Sequence, residues 1–592
     1  MKYSDQIADW LRELGYTTVF YVGGGGCMHL VESLTRKLKG IATVHEMAAG
    51  IAAEYFNVVA AGREKALALV TSGPGLTNIV TAVAGAWYES RELLVIGGQV
   101  KTTDLSRGAV RQRGIWEACG AEIVRPITTT STTLMKPIGP ADFAEIIKLG
   151  STGRKGPVFI EIPLDIQASH YDGEARSPDD AIQEASATPV PRDTDFDHTL
   201  REMLDCLRHA ERPVILLGGG VDRNAAYALA DRFAEARIPV MTTFNGTDRI
   251  DSRNPAYFGR VNTWGMRYSN LLIQQADCVI ALGTRLGLQQ TGFNWQEFVP
   301  VGKLFQVDID VCETQKGHPA IHRAVNCDAA YVLDRIYRED LRVNQKWLDF
   351  CSRTKQAFPL DEVGLAENPE FICPYRFYIQ LSELMTDRDI LVPSSSGGNF
   401  TVAYQSFLQK QGQHVVSNKG MASMGYGLSG AIGAAVAGMG RRVVACEGDG
   451  GFAQNLQELG TVAVNRLNIK MFISDNDGYA SIRMTQRNYF GGRYVGCDSA
   501  TGLGLPNWEK LFAAWDVPTM RLTRDFATDQ EFLEAFNSPG PYAFIHPVDP
   551  KQLYYPKINS RIDPNGGMSS HPLHEMFPYL DEKARAEFLP YL

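Results

Sequence analysis

The stretch from Gly448 to Gly478 limits what this chain can fold into more than any other. Val443-Val444-Ala445-Cys446 is a continuous apolar run, the pattern of a strand buried on both faces. It leads into Gly448-Asp449-Gly450-Gly451-Phe452. A helical pattern follows over residues 454–464, then a second apolar run, Ile469-Lys470-Met471-Phe472-Ile473, which ends in Ser474-Asp475-Asn476-Asp477-Gly478. Strand, helix, strand predicts a βαβ unit in a parallel sheet. Asp449 and Asn476 then stand just past the carboxyl ends of successive strands, the edge where open α/β sheets hold ligands.

The Asp449 carboxylate, the Asn476 side-chain carbonyl and the Gly478 backbone carbonyl are hard oxygen ligands. Such a set suits Mg²⁺, which keeps some of its waters and takes diphosphate oxygens. Gly450 and Gly451 let backbone N–H groups come close to a phosphate at a helix start. An ordinary strand–turn–helix with a capping Asp is the alternative. The Asn-x-Gly after the next strand favours the diphosphate–metal reading.

Gly-Asp-Gly followed one βα unit later by Asn resembles the signature of thiamine diphosphate (ThDP) enzymes. The resemblance extends over most of the chain. Tyr21-Val22-Gly23-Gly24-Gly25-Gly26 is similar to that family's first glycine loop, and His45-Glu46-Met47-Ala48-Ala49-Gly50 to its catalytic-glutamate segment. Gly73-Pro74-Gly75-Leu76-Thr77-Asn78 resembles its GPGxTN turn, and Ser423-Met424-Gly425-Tyr426-Gly427-Leu428 its cofactor-bending segment. Gly156-Pro157-Val158 and Ile162-Pro163-Leu164-Asp165 resemble the end of its first domain. The nearest group in pattern is that of acetolactate synthase large subunits. The resemblance implies an α/β fold of three doubly wound parallel-sheet domains. These are a pyrimidine-binding domain over residues 1–170, a linker over 171–192, a central domain over 193–345 and a diphosphate-binding domain over 369–550. A tail over 551–592 would lie over the active site.

By the same resemblance Glu46 is the catalytic residue: its carboxylate would hold the cofactor's aminopyrimidine protonated, so that the ring can take the thiazolium proton. Met424 would wedge between the two rings and force them together. Gly25, Asn78, Ser395, Ser396, Gly448, Gly450, Gly451, Tyr479 and Ala480 complete the cofactor contacts, and Asp449, Asn476 and Gly478 hold Mg²⁺. Plainer readings exist for several of these. A Glu at a helix start suits the macrodipole, Met is a common gap-filler in cores, and Ser394–Gly398 could be an ordinary loop. Because the family builds its site from two chains, a homo-oligomer (homodimer or homotetramer) with the active site at the subunit interface is implied.

The acceptor side departs from the pattern. Acetolactate synthases typically carry Gln where this chain has Trp116, and Trp where it reads Met484-Thr485-Gln486. Gly478-Tyr479-Ala480-Ser481-Ile482-Arg483 is instead similar to members of deoxysugar and polysaccharide pathways. His29, Gln112 and Trp116 are the substrate candidates, with Arg113 beside them; His29, Gln112 and Arg113 could equally be structural or surface residues. In the central region Gly218-Gly219-Gly220, Gly265-Met266-Arg267, Asn270 and Gly283-Thr284-Arg285 resemble FAD-contact segments. There the chain departs at Leu286-Gly287-Leu288-Gln289, where flavin-binding synthases usually show Phe-Asp-Asp-Arg.

Composition fits a large globular enzyme. The chain has 592 residues, too many for one core, with 44% hydrophobic and 21% charged residues. A net charge of −9 without a basic block argues against nucleic-acid or anionic-membrane partners. The first residues lack the apolar core of a signal peptide, and no apolar run is long enough to span a bilayer. Ten cysteines without a CxxC pair suit reduced thiols in the cytoplasm. The expectation is ThDP- and Mg²⁺-dependent decarboxylation of a 2-oxo acid donor, pyruvate first among them. The acyl unit would then be ligated to a carbonyl acceptor such as a keto-sugar. Homocoupling of pyruvate, a ThDP-dependent carbon–carbon lyase or hydrolase, and a non-catalytic cofactor-binding regulator are the alternatives.

Overall fold

Val443–Gly448 and Ile469–Asp475 are buried at every residue but the last, so both faces must be covered, and helices lie on either side of three parallel sheets. The computed structural model describes residues 1–171, 196–362, 368–393, 397–438, 440–562 and 565–592. Ser395, Ser396 and all but the first residue of the predicted linker lie outside them. The chain divides into two compact units: residues 1–188, 389–399 and 416–547 form one, and residues 189–388, 400–415 and 548–592 the other.

The first unit contains the amino-terminal sheet: Tyr16–Tyr21 (β1), Lys39–Ala42 (β2), Lys65–Val70 (β3), Leu93–Gln99 (β4), Thr130–Thr133 (β5) and Pro157–Pro163 (β6), in the order β2-β1-β3-β4-β6-β5. The second unit is built on Pro213–Leu217 (β7), Val240–Thr242 (β8), Tyr257–Arg260 (β9), Cys278–Leu282 (β10), Lys303–Asp308 (β11) and Ile321–Asn326 (β12), ordered β12-β11-β10-β7-β8-β9. The third sheet comprises Ile390–Pro393 (β13), His414–Val415 (β14), Val443–Gly448 (β15), Ile469–Asp475 (β16), Thr519–Arg521 (β17) and Tyr542–Pro547 (β18). All but β14 of that sheet belong to the first unit, where β15 and β16 pair in parallel from Val443 opposite Ile469 to Gly448 opposite Ser474.

The predicted helix over 454–464 is shorter and broken. Asp449–Phe452 forms a turn of helix, and a regular helix resumes only at Leu459–Val464. Asn455 interrupts it: its backbone leaves the helical region at φ −138°, and its amide is used elsewhere, on Gly425 O at 2.8 Å and Ser429 Oγ at 3.0 Å.

Within the first unit one core joins both sheets through two almost wholly apolar helices, Glu46–Ala60 and Tyr426–Ala437. They approach so closely that a Cβ on Gly433 would lie 1.9 Å from Ala52 O, and one on Gly430 would lie 2.5 Å from the Tyr55 ring. Helix backbones in such contact require glycine there. In the second unit Ile558, Leu573 and Met576 of the carboxy-terminal segment join Phe258, Leu272 and Trp347 in one cluster. No helix among the described residues is long and apolar enough to cross a membrane.

Candidate active site

Asp449 follows the last residue of β15 and is fully buried. Its Oδ1 accepts the Gly450 N–H at 2.6 Å, and Oδ2 accepts those of Asn476 at 3.0 Å and Gly478 at 2.9 Å. This carboxylate therefore stitches together the two loops that the sequence placed side by side. Burial pushes its carboxyl up to about 7 despite the three donors, with Asp475 adding to the rise. A buried carboxylate that meets backbone amides but no cationic side chain among the described residues fits a metal ligand, because a divalent ion supplies the missing positive charge.

The neighbouring residues are shaped to match. Gly478 has φ +105°, and a Cβ there would sit 2.5 Å from Cys497 O, so only glycine is accommodated. Its carbonyl accepts the Ala480 N–H at 3.0 Å, which leaves its second lone pair. Asn476 has a buried side chain, and the Arg483 guanidinium holds the Asn476 and Asp477 carbonyls. A Cβ on Gly450 would meet the Tyr479 ring at 2.5 Å, so the ring packs against that turn; around Gly448 there is open space. This is room for a phosphate at the turn that the strand–helix transition exposes.

Glu46 starts the helix Glu46–Ala60, which His45 caps through a bond from Met47 N to its Nδ1 at 3.1 Å. Glu46 is only 8% exposed, and its Oε2 accepts the Asn78 amide at 3.0 Å. Asn78 closes the short helix Pro74–Asn78 that follows Gly73. The GPGxTN turn and the catalytic-glutamate segment thus meet through one hydrogen bond. The glycine loop joins them: Gly26 N donates to Thr71 Oγ1 at 3.2 Å, and Gly25 faces open space.

Trp116 belongs to the same edge. Its carbonyl lies 2.7 Å from where a Gly73 Cβ would be, it has φ +61°, and its side chain is 65% exposed. A large aromatic held in the left-handed region and left open to solvent is a strained surface feature of the sort that clusters at binding sites. Gln112 is exposed and donates to Glu117 O at 3.1 Å. His29 is half-buried in the helix Met28–Lys37, and among the described residues no hydrogen bond joins it to Gln112 or Trp116. Met424 is half-buried next to Gly425 at φ +80°, and Gln454 Nε2 lies 3.6 Å from its sulfur.

Three carboxylates missed in the sequence organise these parts. Glu458 accepts Val44 N at 3.1 Å and His45 N at 2.9 Å, fixing the entry to the Glu46 helix. Glu447 is buried beneath the turn that follows Met424 and accepts Leu428 N at 3.2 Å; a Cβ on Gly427 would lie 2.5 Å from its carboxylate. Glu117 accepts Ser106 N at 2.7 Å, Arg113 N at 2.8 Å and Gly114 N at 3.1 Å, gathering the Trp116 loop around itself. None announces itself in the sequence, because the partners are backbone amides, which any residue supplies, and for Glu458 they also lie more than four hundred positions away.

Comparison with known proteins agrees with this geometry. Residues 1–115 match the thiamine pyrophosphate enzyme N-terminal TPP binding domain, 200–336 the central domain and 396–546 the C-terminal TPP binding domain. A probable acetolactate synthase large subunit of Methanocaldococcus jannaschii is 30% identical over 567 residues, 93% of either chain. The chain belongs to the ThDP-dependent, acetolactate synthase-like family. Members similar to it include the acetolactate synthase isozyme 1 large subunit of Escherichia coli, 27% identical over 93% of this chain and 95% of that one. A probable chloroplastic acetolactate synthase 2 of Oryza sativa subsp. japonica is 29% identical over 94% and 85%. The chain is therefore a ThDP-dependent enzyme, and its three parallel sheets are that family's three domains.

Proposed function

We propose that this enzyme decarboxylates a 2-oxo acid, pyruvate in the first instance, and joins the acyl unit to a carbonyl acceptor of the keto-sugar class. The observation that carries the reading is the Asp449 carboxylate, buried among three N–H groups beside the open turn at Gly448. When bound, ThDP supplies the electron sink that lets a 2-oxo acid lose CO₂. Asp449, the Asn476 side chain and the Gly478 carbonyl would hold Mg²⁺, while Gly448, Gly450, Gly451, Tyr479 and Ala480 would line the diphosphate, as would Ser395 and Ser396, which lie outside the described residues. Met424 would set the cofactor's shape, with Gly25 and Asn78 serving its pyrimidine end. Glu46 would hold a proton between its own carboxylate and the pyrimidine ring, and the Asn78 amide on Oε2 positions that carboxylate.

His29, Gln112 and Trp116 are the acceptor residues of this reading, and the exposed Trp116 ring offers a face on which a sugar ring can pack. In the assembly, Glu46 of one protomer serves the diphosphate loops of its partner. Ten free thiols favour a cytoplasmic enzyme.

Homocoupling of pyruvate is the second reading, and the names of the similar proteins favour it. Incubating the purified enzyme with ThDP and Mg²⁺, first with pyruvate alone and then with pyruvate plus keto-sugars, separates the two by product mass. Rapid acetolactate formation from pyruvate alone, unchanged by any sugar, overturns the keto-sugar acceptor. A two-carbon adduct on the sugar supports it.

A further inference from the structure

A flavin dinucleotide needs open backbone N–H groups at a glycine turn and side chains able to turn towards its phosphates and ring. In the central domain's segments that resemble flavin contacts, most of these groups are already engaged within the protein. In the loop after β7, Gly218 N donates to Leu282 O at 2.8 Å, Gly220 N to Gly283 O at 2.9 Å and Val221 N to Gly218 O at 3.3 Å. The Arg249 guanidinium takes the loop's carbonyls, with Nε on Val221 O at 2.6 Å and Nη2 on Gly219 O at 3.0 Å. The space that missing side chains would leave is filled as well. A Cβ on Gly218 would lie 2.1 Å from Gly283 O, and one on Gly219 2.9 Å from the Asn245 Cβ. These glycines are explained by the packing of two strand ends against each other.

The other segments are held by the carboxy-terminal stretch and its neighbours. Arg267 is 4% exposed; its Nε reaches both Glu362 oxygens, at 2.8 and 2.9 Å, and its Nη1 donates to Met576 O at 3.0 Å. Asn270 is fully buried and places its amide on Asn262 O at 2.9 Å and on the Met576 sulfur at 3.2 Å. Gly265 N donates to Asn262 O at 2.8 Å, and Ile558 N to Thr263 O at 2.9 Å. After Gly265-Met266-Arg267 stands Tyr268, a large and buried side chain. Of the flavin-like set Gly219, Gly220 and Arg285 are exposed, while Gly218, Gly265, Met266, Arg267, Asn270 and Thr284 are buried.

We propose that this enzyme works without flavin: its own Ile558 and Met576 hold the segments that resemble flavin contacts, and the glycine loop is tied to the end of β10. Carboligation transfers no net electrons, so the chemistry of the proposed function is unaffected by the loss.

The test uses the full-length protein purified with ThDP and Mg²⁺. One aliquot is denatured, and released flavin and ThDP are quantified together by absorbance and mass spectrometry. A second is titrated with FAD while flavin fluorescence and melting temperature are followed. The expected result is ThDP in near-equal ratio to the chain with flavin at trace level, no saturable quenching and no melting shift. Flavin released in near-equal ratio overturns the proposal, as does a saturable quench or a rise in melting temperature with added FAD. The ThDP measured in the same extract reports on the proposed function separately, so the two can fail independently.

Discussion

The Glu54 carboxylate accepts a 2.7 Å hydrogen bond from the Tyr426 hydroxyl, joining the helix that begins with Glu46 to the one that begins two residues after Met424. Its other oxygen accepts Arg91 Nη1 at 2.7 Å, and Arg91 Nη2 donates to Ser417 O at 2.6 Å. Burial pushes the Glu54 carboxyl up, while Arg91 and Tyr426 oppose the rise. Removing one member of a buried pair leaves the other charge uncompensated, at a cost of about 3–5 kcal/mol. Arg91→Met is therefore expected to be severely destabilised in denaturant unfolding. Tyr426→Phe leaves the ion pair in place, and its expected loss is about 1–2 kcal/mol. Equal losses in the two variants would show that the charge pair is not what matters.

Replacement of Asp449 is expected to abolish metal-dependent cofactor binding while the fold survives. Loss of an outer partner weakens metal sites by roughly 10–100-fold, and removing a direct ligand should cost at least as much. Titration of Asp449→Asn with ThDP at several Mg²⁺ concentrations, followed by tryptophan fluorescence, measures it. Wild-type affinity in that variant would remove the basis of the diphosphate–metal site.

Glu46→Gln keeps the size and the contact with Asn78 but cannot hold the proton. The expected result is near-normal ThDP binding with turnover lowered by about 10²–10⁴-fold, the usual span for a proton-transfer group. Exchange of the cofactor's C2 proton into deuterated buffer, read by NMR, should slow in parallel. Glu458→Leu should lower both melting temperature and turnover, because Val44 N and His45 N lose their acceptor at the mouth of the Glu46 helix.

Gly433→Val tests the helix contact. A side chain there meets the Ala52 backbone, which cannot step aside, so overpacking of about 1–3 kcal/mol is a lower bound. Gly62→Ala, at an open position with φ +82°, is the control for backbone strain alone. A melting temperature for Gly433→Val no lower than that of the control would contradict the close approach.

Two histidines of the second unit set a pH dependence. Burial, with Lys316 adding, lowers His318 to about 4. Burial, with Arg585 adding and Glu575 opposing, lowers His574 to about 4. The unfolded chain takes up these protons near pH 6.5 and the folded one only near 4, so stability rises with pH across that window and is lost as pH falls through it. The slope is at most about 1.4 kcal/mol per pH unit for each group. Melting curves between pH 7 and 5 should show the second unit's transition falling, and His574→Gln should flatten the trend.

What the sequence made legible was local. The apolar runs at Val443, Ile469, Pro213 and Cys278 became β15, β16, β7 and β10 because a buried parallel strand needs an unbroken hydrophobic stretch. The Asp449 and Asn476 loops could be placed next to each other because one βα unit separates them. Edge strands such as Lys39–Ala42 and Thr130–Thr133 escaped notice, since polar, short edges carry no such signature. Hidden too were contacts across long separations: Glu458 meets His45 across 413 positions, and Tyr426 meets Glu54 across 372. Each end of such a contact looks ordinary alone.

The Glu117 carboxylate has a consequence for how this enzyme could acquire new acceptors. Although burial works against it, the amides of Arg113, Ser106 and Gly114 hold its carboxyl down to about 2, so it stays charged and keeps its grip at any physiological pH. On the proposed reading, the wall that presents Trp116 to an acceptor is thus assembled before the acceptor arrives. Exchanging the tryptophan, or the exposed residues around it, can re-aim selectivity while the scaffold beneath stays the same.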